Sequence, residues 1–314
     1  MNEPAVLVVG EALIDVVHRA DGTVQRIPGG SPANVAVGLA RLGVSTQLLC
    51  CLGSDDLGDD LRAHLREEGV ELRPPAAPAP PVTSTADAFV EPDGAAEYRF
   101  TVQWDPGPFI PGAVRLLHVG SMAALIEPGS TDVMAALAAV DPGTVITLDP
   151  NVRPSLGFSP EAVRERIEQV ARFAHLVKMS DEDLTWVYPD LSLEQVAARL
   201  HELGVRVLVV TRGARGCVMA APGWTQEVPA VQVSVVDTIG AGDSFMSGMV
   251  ASILGTGGDD ALRDGDVGQD LCTTWAMTAL RSAAITVSHA GAQPPTAEEL
   301  QRAADLEPAV QGAL

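Results

Sequence analysis

Apolar positions fall along this chain in short blocks of two kinds. Ala5–Val9 is a continuous apolar run closed by Gly10, which predicts a buried strand. Ala12–His18 and Gly22–Ile27 predict two strands around the turn Ala20-Asp21-Gly22. The next block, V-A-V-G-L-A-R-L-G, has helical spacing, with Ser31 suited to the N-cap, Pro32 to the first helical position and Gly43 to the C′ position. It is rich in small residues, which favours close packing on a sheet. Thr46–Cys51 predicts a strand, and Asp56–Glu68 an amphipathic helix ending at Gly69. The proline-rich stretch Arg73–Pro81 predicts a stiff edge loop. Thr83–Val90 and Glu97–Val102 predict a hairpin around Pro92-Asp93-Gly94.

From there strands and helices alternate. The strands are Leu116–Val119, Val145–Leu148, Leu176–Met179, Val205–Val210, Cys217–Ala220, Gln232–Val235 and Ile285–Val287, the last directly after the final large helix. The helices are Ser130–Val140, Pro160–Phe173, Leu193–Leu203, Phe245–Leu254 and Leu271–Ala284, with Gly255–Gly268 as a loop. This order predicts one α/β domain over residues 1–314, its mostly parallel sheet covered on both faces. Two β-rich insertions, about 12–28 and 83–104, interrupt it. Ligands in such folds bind beyond the carboxyl ends of the strands. Asp149–Arg153, Ser180–Asp183, Thr211–Gly213 and Asp237–Asp243 should therefore converge on one edge.

Composition narrows the partners. The chain has 314 residues, 46% of them apolar, and no run approaches the roughly 20 apolar residues of a membrane span. The start, M-N-E-P-A-V-L-V-V-G, lacks a basic segment, so no signal peptide is expected. Cys50, Cys51, Cys217 and Cys272 lack metal-ligand spacing and read as reduced, buried thiols of a cytoplasmic protein. A net charge of −21 argues against nucleic acid and anionic membranes as partners. It does not exclude a phosphate ligand, which needs only local positive potential from a helix N-terminus and a divalent cation.

The densest chemistry lies in Val235–Gly248, V-V-D-T-I-G-A-G-D-S-F-M-S-G. It predicts a strand, a tight glycine turn and a helix. Such a turn leaves backbone N–H groups unpaired at a helix N-terminus, where they and the helix dipole favour an anion. Asp243 then sits where it would accept a proton from an attacking hydroxyl. The plainer reading makes Asp243 a helix-start acid and the glycines a tight turn. Asp15 interrupts an apolar strand, as a buried partnered acid or a ligand-binding one. Asn34 lies in a first helical turn beside Gly29-Gly30. Lys178 is flanked by apolar residues at a strand end, and Arg153 reads equally as a site residue or a surface ion pair. The histidines at 18, 64, 118, 175, 201 and 289 show no ligand spacing, and Trp186 and Trp275 read as helix packing.

Gly29-Gly30-Ser31-Pro32-Ala33-Asn34 through Gly43 resembles the N-terminal signature of the ribokinase-like (PfkB-type) carbohydrate kinases, and Asp237–Phe245 their C-terminal signature. The resemblance covers essentially the whole chain. It implies an αβα sandwich with a small β-sheet lid, which the two insertions match, and ATP-dependent phosphorylation of a sugar hydroxyl. It implies Asp243 as the base, with the N–H groups of Gly240, Ala241, Gly242 and Asp243 holding the transferred phosphoryl group. Asp15, Gly29, Gly30, Asn34 and Arg153 would bind the sugar. Lys178, Ser180, Thr211, Gly213, Gly216, Gly240 and Gly242 would meet the nucleotide. Mg²⁺ would bridge the phosphates, with Asp183 acting through water. K⁺ would take carbonyls of Asp237, Ile239 and the Ala284–Ala292 loop.

Within the family the likeness leans to bacterial fructokinases, through G-E-A-L-I-D at 10–15, D-P-N-V-R at 149–153 and V-K-M-S-D-E-D at 177–183. A 2-keto-3-deoxygluconate or nucleoside kinase, or a non-catalytic sugar sensor, are the alternatives. A dinucleotide-binding oxidoreductase fails because Gly10 lacks the further glycines of its motif. Ser180 and Asp183 stand where many relatives have Asn and Glu. The lid segment Arg99–Phe109 departs from the fructokinase aromatic–arginine pattern, and Trp104 within it would cover a sugar face. A monomer and a lid-mediated homodimer are both compatible.

Overall fold

β-branched and leucine-rich blocks become the strands of two sheets in the computed structural model, which describes residues 4–19, 21–90 and 96–311. In chain order the strands are β1 (Val6–Val9), β2 (Leu13–Arg19), β3 (Val24–Gly29), β4 (Thr46–Leu49), β5 (Glu71–Arg73), β6 (Thr85–Val90), β7 (Ala96–Thr101), β8 (Leu116–Gly120), β9 (Val145–Asp149), β10 (Leu176–Ser180), β11 (Val207–Thr211), β12 (Cys217–Ala221) and β13 (Trp224–Val228). The helices are α1 (Ser31–Arg41), α2 (Asp56–Glu67), α3 (Gly129–Ala138), α4 (Pro160–Ala171), α5 (Asp181–Val187), α6 (Leu193–Leu203), α7 (Ala241–Gly255), α8 (Gly258–Asp264), α9 (Gln269–Val287) and α10 (Ala297–Gln311).

The larger sheet has 9 strands in the order β13-β12-β11-β10-β9-β8-β1-β4-β5. It is parallel from β5 to β11 and ends in two antiparallel pairs. Alternate residues of its central strands enter opposite cores. Val6, Val8, Leu116, Val145 and Leu176 pack beneath α1, α7 and α9, while Leu7, Val9, Leu117, Ile146 and Val177 pack beneath α3, α4 and α6. Burial on both faces is why these strands read as unbroken apolar runs.

The smaller sheet, 4 strands in the order β3-β2-β6-β7, joins the two β-rich insertions. β2 and β6 run parallel, so strands distant in sequence pair across its middle. β6 and β7 form the expected antiparallel pair; its Pro92-Asp93-Gly94 turn lies outside the described residues, as does Ala20 of the first turn.

Helix α7 is apolar nearly all round and buried along its length. It fits because its neighbours are small. A Cβ on Gly248 would stand 3.1 Å from the Ala279 Cα of α9, and one on Gly38 of α1 only 2.3 Å from the Ser247 Oγ of α7. The small residues of α1 thus serve helix–helix contact as well as packing on the sheet.

Several expected elements take another form. Residues 232–235 are not a strand, and the stretch before the glycine turn is an irregular segment with Val235 and Val236 exposed. The sheet already ends at β13, so this β-branched run finds no ladder and hangs instead on Val287 O, through the N–H groups of Val236 and Asp237. Ile285–Val287 continues α9, where Thr286 Oγ1 lies within hydrogen-bond distance of Ser282 O, one turn back, and of the buried Ser244 Oγ. Gly255–Gly268 contains α8, which is anchored by the ion pair of Asp259 with Arg115. Trp104 is not on the smaller sheet: it is 3% exposed, packs against Gly129 and donates to Ala123 O.

Candidate active site

The glycine turn forms as expected at the start of α7. Gly240 is the N-cap residue at φ 76, a left-handed conformation, and an added Cβ would stand 2.5 Å from that of Ala292. Both constraints demand glycine. The Ala241 N–H is held by Thr238 O at 3.3 Å, while those of Gly242 and Asp243 meet no acceptor among the described residues. These donors and the positive end of a 15-residue helix dipole make an anion site.

Asp243, the third residue of that turn, is 9% exposed. Ser31 Oγ donates to its Oδ1 at 2.7 Å and Asn34 Nδ2 to its Oδ2 at 2.8 Å. Burial pushes the carboxyl above its ordinary range; the Ser31 and Asn34 donors pull it back, Asp149 pushes it up and the Lys178 ammonium draws it down. Ser31 is not the N-cap of α1. That position is Gly30 at φ 99, which makes Ser31 the first helical residue and turns its hydroxyl toward Asp243.

Lys178 and Asp149 face each other on neighbouring strands β10 and β9. The Lys178 Nζ donates to Asp149 Oδ2 at 2.8 Å, with 4% and 0% of the two side chains exposed. Burial alone would lower the ammonium pKa, but Asp149 more than offsets this, with help from Asp183 and Asp243, so the lysine stays charged. The Nζ would lie 3.1 Å from a Cβ on Gly242, so the absent side chain there brings a cation up to the anion turn. The Asp149 Oδ1 is buried and accepts no hydrogen bond among the described residues.

Asp15 approaches from the smaller sheet. Burial raises its pKa to about 6, against the opposing field of Arg153 and with a further upward push from Asp243. Gly29, opposite Leu13 across the β2–β3 pair, lies so close that a Cβ there would fall 2.1 Å from Asp15 Oδ2. Arg153 Nη1 donates to Asn151 Oδ1 at 2.7 Å, which ties the guanidinium to its own loop. Leu13 and Ala86 of the smaller sheet pack with Met122 and with the partly buried Phe100 and Leu156. The fold thus gathers Asp15, Asn34, Arg153, Lys178 and Asp243 at the carboxyl edge of the larger sheet.

The remaining expected residues stand beside this group. Thr211 ends β11 opposite Ser180, and Gly213 begins the 3₁₀ turn Gly213–Arg215 that leads through Gly216 into β12. Ser180 caps α5 in a reciprocal box with Asp183. Asp183 Oδ1 also accepts from Val152 N at 2.9 Å and Oδ2 from Ser180 N at 3.0 Å, so this carboxylate fastens two site loops together. Asp237 accepts from Ile239 N and Gly291 N, which lower its pKa and fix the segment before the glycine turn to the loop after α9. Among the described residues no group of three His, Cys, Asp or Glu can hold a metal ion. His118, buried beneath the site, has its pKa lowered to about 3 by burial and by Lys178.

Two residues of the site escaped the motif reading. Ser31 was hidden because a hydroxyl before a helix ordinarily signals a cap. Asp149 was visible as an acid ending an apolar strand, but its pairing with Lys178 depends on strand register.

Residues 3–299 match the pfkB family carbohydrate kinases, and the chain belongs to that family. It is an enzyme that transfers a phosphoryl group to a sugar hydroxyl, on a ribokinase-like fold. Among its relatives, the fructokinase of Klebsiella pneumoniae is 32% identical over 306 residues, which cover 94% of this chain and 97% of that one. A double mutant of the Vibrio cholerae fructokinase, solved in its fructose-, ADP- and potassium-bound form, superposes with a TM-score of 0.79 at 26% identity, covering 96% of this chain and 99% of that one. The Thermotoga maritima ribokinase shares the fold at 20% identity, with a TM-score of 0.71 over 96% of this chain and 100% of that one. Among the described residues no helix is long and apolar enough to cross a membrane.

Proposed function

We propose that this kinase is a fructokinase and that it transfers the γ-phosphoryl group of Mg·ATP to a fructose hydroxyl. The observation that carries the mechanism is Asp243, buried in the first turn of α7 beside unpaired N–H groups and within the field of Asp15. The likeness to fructokinases along nearly the whole chain supports the sugar.

Asp15, Asn34 and Arg153 hold the sugar, with Asp15 accepting from its hydroxyls. The attacking hydroxyl gives its proton to Asp243 as its oxygen bonds to the γ-phosphorus, and the bond from that phosphorus to the bridging oxygen breaks, leaving ADP. The N–H groups of Gly242 and Asp243 and the Lys178 ammonium hold the negative charge of the group in flight. Thr211, Gly213 and Gly216 line the nucleotide side. Mg²⁺ would enter with ATP and neutralise phosphate charge; Asp183, whose two oxygens each accept one backbone N–H, from Val152 and Ser180, keeps acceptor capacity to meet it through water. The smaller sheet acts as the lid that excludes water from the phosphoryl group. The carbonyls around Asp237, Ile239 and the loop after α9 would hold K⁺, and an ATP substrate with buried thiols suits a cytoplasmic enzyme.

Initial rates of ADP formation with fructose, 2-keto-3-deoxygluconate, ribose, tagatose and adenosine, each in K⁺ and in Na⁺, test this. Turnover confined to fructose, and faster in K⁺, is expected. Turnover on another sugar with fructose inert would overturn the substrate.

A further inference from the structure

We propose that Ser31 is a positioning residue for the base: its hydroxyl holds Asp243 Oδ1 permanently, so that Oδ2 alone is released to take the proton of the sugar. This rests on Asp243 being the base. The two donors on the carboxylate differ in kind. Ser31 is 7% exposed and locked at the first position of α1 by the left-handed Gly30, whose Cβ would stand 2.8 Å from Glu11 O. Asn34 lies one turn later and is only partly buried, so it is the donor open to exchange with a sugar hydroxyl. A substrate hydroxyl can displace the Asn34 amide from Oδ2, and the freed amide then has the sugar to bond. It cannot reach the bond behind it.

The geometry also fixes the carboxylate plane. With Oδ1 pinned at 2.7 Å, rotation about the side chain is stopped and Oδ2 keeps one aim. The charged groups facing Asp243 are Asp149 of β9, Lys178 of β10 and Asp15 of β2, and Lys178 is itself engaged by Asp149. α9 faces this turn with the hydroxyls of Ser282 and Thr286, bonded to Ser244. Ser31 and Asn34 are therefore the neutral donors that favour the ionised form, and only Ser31 remains when the sugar is bound. A hydrogen bond to the charged form lowers a carboxyl pKa, so losing it raises the pKa.

The test is the pH profile of the single-turnover phosphorylation rate. In Ser31→Ala the acidic limb should move up by about one pH unit, a roughly tenfold loss below the limb, with the rate recovering to within about threefold well above it. The sugar KM should stay within about threefold, because Ser31 does not touch the sugar. Ser31→Thr should restore the limb. Ser31→Cys, nearly isosteric and a weaker donor, should shift it part of the way, and it serves if the alanine variant folds poorly. An unmoved limb in either active variant, or a loss equal at all pH values, would overturn the proposal. Failure of the base assignment looks different: Asp243→Asn would then keep the limb of the unsubstituted enzyme.

Discussion

The turn that opens α7 and the small sheet that faces it are built on opposite plans. In the turn, both carboxylate oxygens of Asp243 carry donors, Gly240 is wedged against Ala292, and Lys178 is locked to Asp149 with almost no solvent access. The small sheet meets the rest of the fold through apolar side chains, Ile14 and Val16 in the main core and Leu13, Ala86 and Phe100 against Met122 and Leu156, and its edge strand β3 is largely exposed. One region is fixed by ion pairs and hydrogen bonds, the other by apolar packing. Phosphoryl transfer needs fixed donors and a fixed base, because misplacement costs transition-state stabilisation directly. Sugar entry and water exclusion need a part that moves. Substitutions in the first region should therefore lower kcat, and those in the second should raise KM.

The largest effect is expected from Asp243→Asn, which keeps the shape and removes the base; kcat should fall by about 10² to 10⁴ or more. Lys178→Met comes next. It leaves Asp149 buried without a counter-charge, so thermal or denaturant unfolding should show a loss of about 3–5 kcal/mol. The rate should fall with it, since the cation beside Gly242 is gone. Asp15→Asn belongs to the other region. The pKa of Asp15 is about 6, so the group is ionised above that pH and neutral below it. Sugar KM in the unsubstituted enzyme should rise as pH falls through about 6, and Asp15→Asn should have a high KM with that dependence lost. The smallest effect is expected from Phe100→Ala, which trims the contact of the small sheet: about a threefold rise in sugar KM with kcat nearly unchanged. If Phe100→Ala lowers kcat as much as Lys178→Met does, the contrast between the regions is lost.

The same contrast governs what was legible in the sequence. The buried parallel strands announced themselves as apolar blocks, and the glycine turn as a motif whose first position, Gly240 at φ 76, favours glycine. The two insertions were legible as strands, but not the β2–β6 pairing that joins them, since parallel partners far apart leave no local signal. Val235-Val236 misled because β-branched residues favour strands, whereas strand formation needs a neighbouring edge that β13 does not supply. Ile285–Val287 misled in the same way, until Thr286 is seen bonding back into α9. At the site, Asp243, Asn34 and Asp15 were legible by type and place. Ser31 was assigned to the cap because local rules favour it, and a contact across 212 positions overrode them. Lys178 was legible as an odd charge in an apolar strand, but only register reveals Asp149 as its partner.

The proposed deprotonation of fructose is placed on Asp243, at the mouth of the α7 turn. It is tested most directly by ADP formation from Mg·ATP and fructose, measured side by side for the unsubstituted enzyme and Asp243→Asn, with folding checked by thermal melting. Rapid fructose-dependent turnover is expected in the first, and a loss of at least about a hundredfold in a folded second. Near-equal turnover in the two, or no fructose-dependent turnover in the first, would contradict it.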